Sequence, residues 1–181
     1  MTDAMTLIAQ ISDLHIKTHG RLSYKKVDTH AALLRVIDTL NQLVPRPDTV
    51  VITGDLVDFG TAEEYQTLRH LQLPFLLMPG NHDDRQQLRA AFPKHHYLQH
   101  GETLNWQMRV NHLQLLALDS SVPHQPWGDI DDAQLQWLAR EPDLPTLVLL
   151  HHSPFLSGIG HMDRQPLRNP AALAAIVGQH P

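Results

Sequence analysis

The segment LPFLLMPGNHDD, residues 73–84, decides how the chain is read. Its first half is an apolar run with the length and composition of a buried strand, and Pro79-Gly80 stops it. Its second half delivers an amide, an imidazole and two carboxylates at the strand's exit: Asn81, His82, Asp83 and Asp84. Turn geometry asks for Gly and Asn but gives no reason for His followed by two acids. These groups are candidates for chemistry. For Asp83 and Asp84 an equal alternative is capping of the helix that should follow over 83–91.

Outward from this segment, strand-like runs rich in Val, Ile and Leu recur at 5–11, 49–53, 75–78, 113–118 and 146–150. Helical patterns alternate with them at 25–44, 61–71, 83–91, 131–140 and 170–179; Leu33, Ile37, Leu40 and Val44 line one face of the first. The alternation predicts an α/β fold. Thr61 with Glu64 reads as a capping box, and Asn169 before Pro170 as a helix entry. WQMRVNHLQLLALD (106–119) breaks the alternation: two strand-like runs flank a short Asn111-His112 turn, so an antiparallel hairpin should accompany the parallel strands. With no internal repeat or linker, residues 1–181 read as a single domain.

In α/β proteins functional groups gather in the loops after the carboxyl ends of strands. Here four exits carry ligand-type side chains: Asp13 and His15, Asp55 and Asp58, Asn81 to Asp84, and His151 and His152. Turn chemistry accounts for the Gly and Asp residues at any one exit, but not for His at three of them. If extended backbone persists, Asp13 and His15, two apart, point to one side and can grip one cation. Asp55 follows Gly54 and offers two carboxylate oxygens, enough to bridge two ions. The chain has no cysteine among its 181 residues, so disulfides and thiolate chemistry are excluded. Donors limited to imidazole, carboxylate and amide suit Fe, Mn, Co or Zn.

Composition narrows the partners. A hydrophobic content of 42% is enough for a real core, and a formal charge of -5 with no Lys/Arg run argues against nucleic acid. The amino-terminal MTDAMTLIAQI has an acid where a signal peptide wants positive charge, and no segment reaches membrane-spanning length, which predicts a cytoplasmic protein without a membrane partner.

The ordered series Asp-x-His, Gly-Asp-x-x-Asp, Gly-Asn-His-Asp and His-His resembles the calcineurin-like metallophosphoesterases. Through QISDLH, RPDTVVITGDLVDFG, EEYQTLRHL, PGNHDD, LALDSS and LLHHSPF it is similar to class III cyclic-nucleotide phosphodiesterases and glycerophosphodiesterases over nearly the whole chain. The resemblance implies an αββα sandwich of mixed sheets flanked by helices and two divalent metal ions. It assigns Asp13, His15 and Asp55 to one ion and Asp55, Asn81 and His151 to the other, with Asp55 bridging. His82 is implied as the catalytic, phosphate-contacting residue, and the substrate as a small phosphodiester, a cyclic nucleotide such as cAMP or a glycerophosphodiester. A homo-oligomer is left open.

The family also carries a later Gly-His-x-His motif that this chain lacks; GHMD at 160–163 has no second His, and His161 is not counted as a donor. Each ion then keeps three protein ligands and a lower affinity. The resemblance therefore implies a domain incomplete at its C-terminus, with apolar surface uncovered on LQLLAL and on the last helix. The alternative is a noncatalytic fragment that binds metal weakly or singly.

Overall fold

The run TVVIT forms β2 (Thr49–Thr53), and all five residues are buried because it is the middle strand of a parallel sheet. In the computed structural model, which describes residues 5–66, 68, 75–140 and 144–179, β1 (Ile8–Ile11) and β3 (Phe75–Met78) flank it. Ile8 pairs with Thr49 and Thr53 with Met78, so all three carboxyl ends open on one edge. Parallel neighbours need crossovers. The first contains α1 (Thr29–Gln42), whose Leu33, Ile37 and Leu40 are buried, and the second contains α2 (Ala62–Gln66).

Caps set the helix ends. Asp28 accepts from the Ala31 N–H at 2.9 Å and starts α1 four residues later than its periodicity suggests, because Tyr24 and Lys25 adopt left-handed backbone. The Thr61 N–H donates to Glu64 Oε2 at 3.2 Å, the return half of the expected capping box. The rest of the helix expected over 61–71, with His70, lies mostly outside the described residues, as does His180. At Asn169 the expected entry forms at α5 (Pro170–Val177), but the Asn169 side chain is exchanged with the Ile130 backbone instead of capping the helix.

The hairpin forms as expected. β4 (Trp106–Val110) and β5 (Leu113–Leu118) are antiparallel across Asn111-His112, and β6 (Thr146–Leu150) adds in parallel to make a second sheet. Five of the six residues of β5 are buried. Leu115 and Ala117 join the cluster shared with the first sheet, while Leu116 and Leu118 pack with Ile130, Leu138, Leu167 and Leu173. Leu138 lies on α4 (Asp132–Leu138) and Leu173 on α5. This corrects the expectation of an uncovered LQLLAL: the central strand is covered on both faces, each large side chain contributing roughly 1.5–3 kcal/mol. The last helix is covered on one side only, with Leu173 buried and Val177 exposed. The layers run helix, sheet, sheet, helix. The Trp106 indole N–H, buried between the sheets, donates to the Leu77 carbonyl at 2.7 Å.

Candidate metal centre

Past Ile11 the chain does not stay extended, so the simple alternation expected of Asp13 and His15 fails. Both are left-handed, with φ of 53° and 42°, and Asp55 is too, at 49°. Such backbone costs a non-glycine residue roughly 1–3 kcal/mol and persists only where surroundings enforce it. Here a ladder enforces it: the Asp13, His15 and Ile16 N–H groups donate to the carbonyls of Gly54, Asp55 and Leu56 at 3.1, 3.0 and 3.2 Å. The loops after β1 and β2 are thereby stitched together, and their turns aim the side chains.

Two groups of donor atoms result, each with its members within 4.8 Å of one another: His15, Asp55 and His82, and Asp13, Asp55 and His151. Asp55 belongs to both and is 4% exposed. Its Oδ2 lies 3.5 Å from His15 Nε2, its Oδ1 3.4 Å from His151 Nε2, and Oδ1 also accepts from the His82 N–H at 3.0 Å. Burial would push the Asp55 carboxyl up, but the pairing with His151 and the His82 N–H and ring outweigh it and hold the group below its usual range. Asp13 groups with His151, whereas the resemblance gives it to His15's ion; it is also close enough to help keep His151 protonated. Asn81 lines the adjoining cleft beside His82.

The imidazoles are oriented by backbone carbonyls. Thr53 O is 3.0 Å from His151 Nδ1, and a carbonyl only accepts, so the proton sits on Nδ1 and Nε2 is left for Asp55 or a cation. His82 Nδ1 is likewise held by the Asp58 carbonyl at 2.9 Å. Two glycines make room: a Cβ at Gly54, whose φ is +93°, would lie 2.6 Å from His151 Cγ, and one at Gly80 would overlap the Asp55 carboxylate.

The neighbouring acids divide by task. Asp84 caps α3 (Arg85–Ala91), accepting from the Gln87 N–H at 2.8 Å. Asp83 is a half-buried bracket: it accepts from the Gly80 and Leu56 N–H groups at 2.8 and 3.1 Å and from the Tyr65 hydroxyl at 2.9 Å, fastening the third exit to the second. Burial, and less strongly the Asp55 charge, pushes Asp83 up to about 7. No hydrogen bond joins either acid to the His82 ring, which the Asp58 carbonyl orients instead. The Asp58 carboxylate pairs with Lys17 and faces His15 Nδ1 at 3.4 Å, so it supports the first group and caps nothing. His152 is buried, with Nδ1 2.8 Å from Ser120 Oγ, and burial and the His151 charge push it down to about 4. His161 is exposed and in neither donor group. Lys17, Tyr65 and the Arg85–Asp119 pair escaped the sequence reading, because their partners lie on other elements.

The arrangement fits divalent cations. Three imidazoles and two carboxylates converge in the two groups. The 3.4–3.5 Å contacts to Asp55 are longer than charge-assisted hydrogen bonds, and His15 Nδ1 is buried without a hydrogen-bond partner. All donors are nitrogen or oxygen. Among the described residues no helix is long and apolar enough to cross a membrane.

Known proteins resemble this chain in sequence. The family profile described as Calcineurin-like phosphoesterase matches residues 6–175. The chain is 37% identical over 183 residues to the "Probable glycerophosphodiester phosphodiesterase GpdQ" of Arcobacter nitrofigilis, covering 96% of this chain and 67% of that protein. It is 34% identical to the "Glycerophosphodiester phosphodiesterase GpdQ" of Enterobacter lignolyticus, with 97% and 66% covered. It is also 34% identical to a "cAMP/cGMP dual specificity phosphodiesterase" of Mycobacterium tuberculosis, with 94% and 57% covered. The chain thus spans about two thirds or less of the length of these curated relatives. With the profile match extending over nearly all of its residues, the chain belongs to the calcineurin-like phosphoesterase family.

Proposed function

We propose that the protein hydrolyses a small phosphodiester, a 3',5'-cyclic nucleotide such as cAMP or a glycerophosphodiester, with two divalent cations held by Asp13, His15, Asp55, Asn81 and His151. The observation that carries this reading is the sharing of Asp55 between two donor groups. Bound in such a pair, cations supply water activation near neutral pH and neutralise charge on phosphoryl oxygens. The protein's own part is positioning. Asp55 would hold both ions, and the carbonyls of Thr53 and Asp58 orient two of the rings. As water attacks phosphorus, the ester P–O bond breaks and the leaving oxygen needs a proton. His82 Nε2 supplies it, and since Nδ1–H is spent on Asp58, that donation requires the doubly protonated ring.

The wall beside the centre has little free charge of its own. A cavity of about 480 Å³ adjoins the centre, lined by Asn81, His82 and Arg85. Arg85 is already engaged, Nε on Asp119 and one Nη on the Ser121 carbonyl, each at 2.7 Å. Positive charge at the phosphate would therefore come chiefly from the cations, and the choice between diester and monoester is a matter for measurement. The test is turnover of bis(p-nitrophenyl) phosphate against p-nitrophenyl phosphate after chelator treatment and manganese addition. Expected are no turnover without metal, restoration with it, and preference for the diester. Full activity in metal-free protein refutes the proposal; preference for the monoester refutes its substrate class.

A further inference from the structure

Resting on the phosphodiesterase reading above, we propose that Phe59 is a specificity-determining residue that stacks on a planar aromatic group of the substrate, favouring base-bearing diesters over glycerol-based ones. Phe59 is 73% exposed, yet its backbone is fastened on both sides. Its N–H donates at 3.1 Å to Glu64 Oε2, the same oxygen that takes the Thr61 N–H, and Glu64 is itself buried. Gly60, with φ of +69°, packs so closely that a Cβ would meet Asp84 Cβ at 2.9 Å. The Lys17 ammonium, held by Asp58, lies 4.3 Å from the ring centroid. An exposed phenylalanine alone is ordinary. One pinned by its own backbone and backed by a cation is a preorganised surface, which keeps the entropy of binding low.

Its position gives that surface a use. Phe59 lines the cavity that holds Asn81 and His82, and also a neighbouring hollow of about 350 Å³ with Lys17, Arg21 and Leu22. The ring therefore stands as a partition beside the phosphate-facing imidazole. His124, another non-glycine residue in left-handed backbone, at φ 61°, lines the same cavity. A glycerol group gains little from an aromatic face, whereas a nucleobase gains stacking. A cationic head group is disfavoured, because the Lys17 ammonium already occupies the ring's attraction for positive charge.

The test compares kcat/KM for 3',5'-cyclic AMP with that for glycerophosphoglycerol in wild type, Phe59→Ala and Phe59→Tyr, all loaded with manganese. In Phe59→Ala the ratio should fall about ten-fold, chiefly through KM, and Phe59→Tyr should restore it. A ratio held within about two-fold overturns the proposal, as does a parallel loss on both substrates. Calorimetry of adenosine 5'-monophosphate against glycerol 3-phosphate reads the same preference without turnover. If wild type hydrolyses neither diester yet loses its preference for the adenosine compound in Phe59→Ala, the activity proposal falls and the role of Phe59 stands. If both diesters turn over and Phe59→Ala changes neither the ratio nor the preference, the reverse holds.

Discussion

Two strand exits carry a buried aspartate each, and their surroundings are opposite. At the exit of β5, Asp119 is saturated: Oδ2 accepts from Arg85 Nε at 2.7 Å and the Leu104 N–H at 2.8 Å, and Oδ1 from the Ser121 N–H and hydroxyl at 3.1 and 2.5 Å. At the exit of β2, Asp55 accepts one backbone N–H and otherwise faces the His15 and His151 imidazole nitrogens at the long distances of 3.5 and 3.4 Å. A saturated carboxylate holds structure together. A buried one shared by the imidazoles of two donor groups is placed to take a cation in exchange for the His151 proton, so burial alone identifies neither role.

The largest contrast should come from Asp55→Asn. It should lower metal-dependent diesterase activity on the order of 10³-fold and abolish stoichiometric manganese binding, while the chain stays folded. Elemental analysis beside circular dichroism separates these effects, and a folded variant with full metal would break the comparison. Asp119→Ala should do the converse, destabilising by about 3–5 kcal/mol because Arg85 is left unpaired, with metal content per folded chain preserved. Urea denaturation reads this directly.

His82→Ala sharpens the picture within the centre. Its ring falls in a donor group with His15 and Asp55, yet its proposed work is proton donation. A kcat loss of about 10²-fold with both ions retained would match that work. Loss of one ion would make His82 a ligand instead.

The smallest effect concerns pH. Burial pushes His151 down, but the Asp55 pairing and the Thr53 carbonyl prevail and raise it to about 9 from an ordinary 6.5. In metal-free protein the pair's contribution is complete below 6.5 and fades as pH rises through about 9. A cation at Nε2 must displace that proton. Manganese affinity should therefore climb between these values, by no more than about ten-fold per unit, with proton release measurable by calorimetry in two buffers. Flat affinity across this window would remove His151 from the ligand set.

The strands, the hairpin and the convergence of charged exits were legible because hydrophobic period and turn residues are local signals. So was the capping of α3, since Asp84 sits at its first turn. The split into two sheets was legible only through the family resemblance, because a run such as LQLLAL does not announce which strand it will pair with. The left-handed backbone of Asp13 and His15 was also hidden. Asp and His tolerate that conformation better than most residues, but what enforces it here is the carbonyls of residues 54–56, some 40 positions away. Asp119 shows the same limit from the other side: LALDSS reads like GDLVD until Arg85 is seen.

The indole bond from Trp106 to Leu77 makes the seam of the sandwich optically addressable. Four of the five proposed donors hang from the first sheet and only His151 from the second, so a loaded centre would rivet the two halves together. That bond lies three residues upstream of Gly80, where the pull would be felt. With Trp127 and Trp137 replaced, the emission of Trp106 then becomes a built-in gauge of how firmly the layers are pressed against each other.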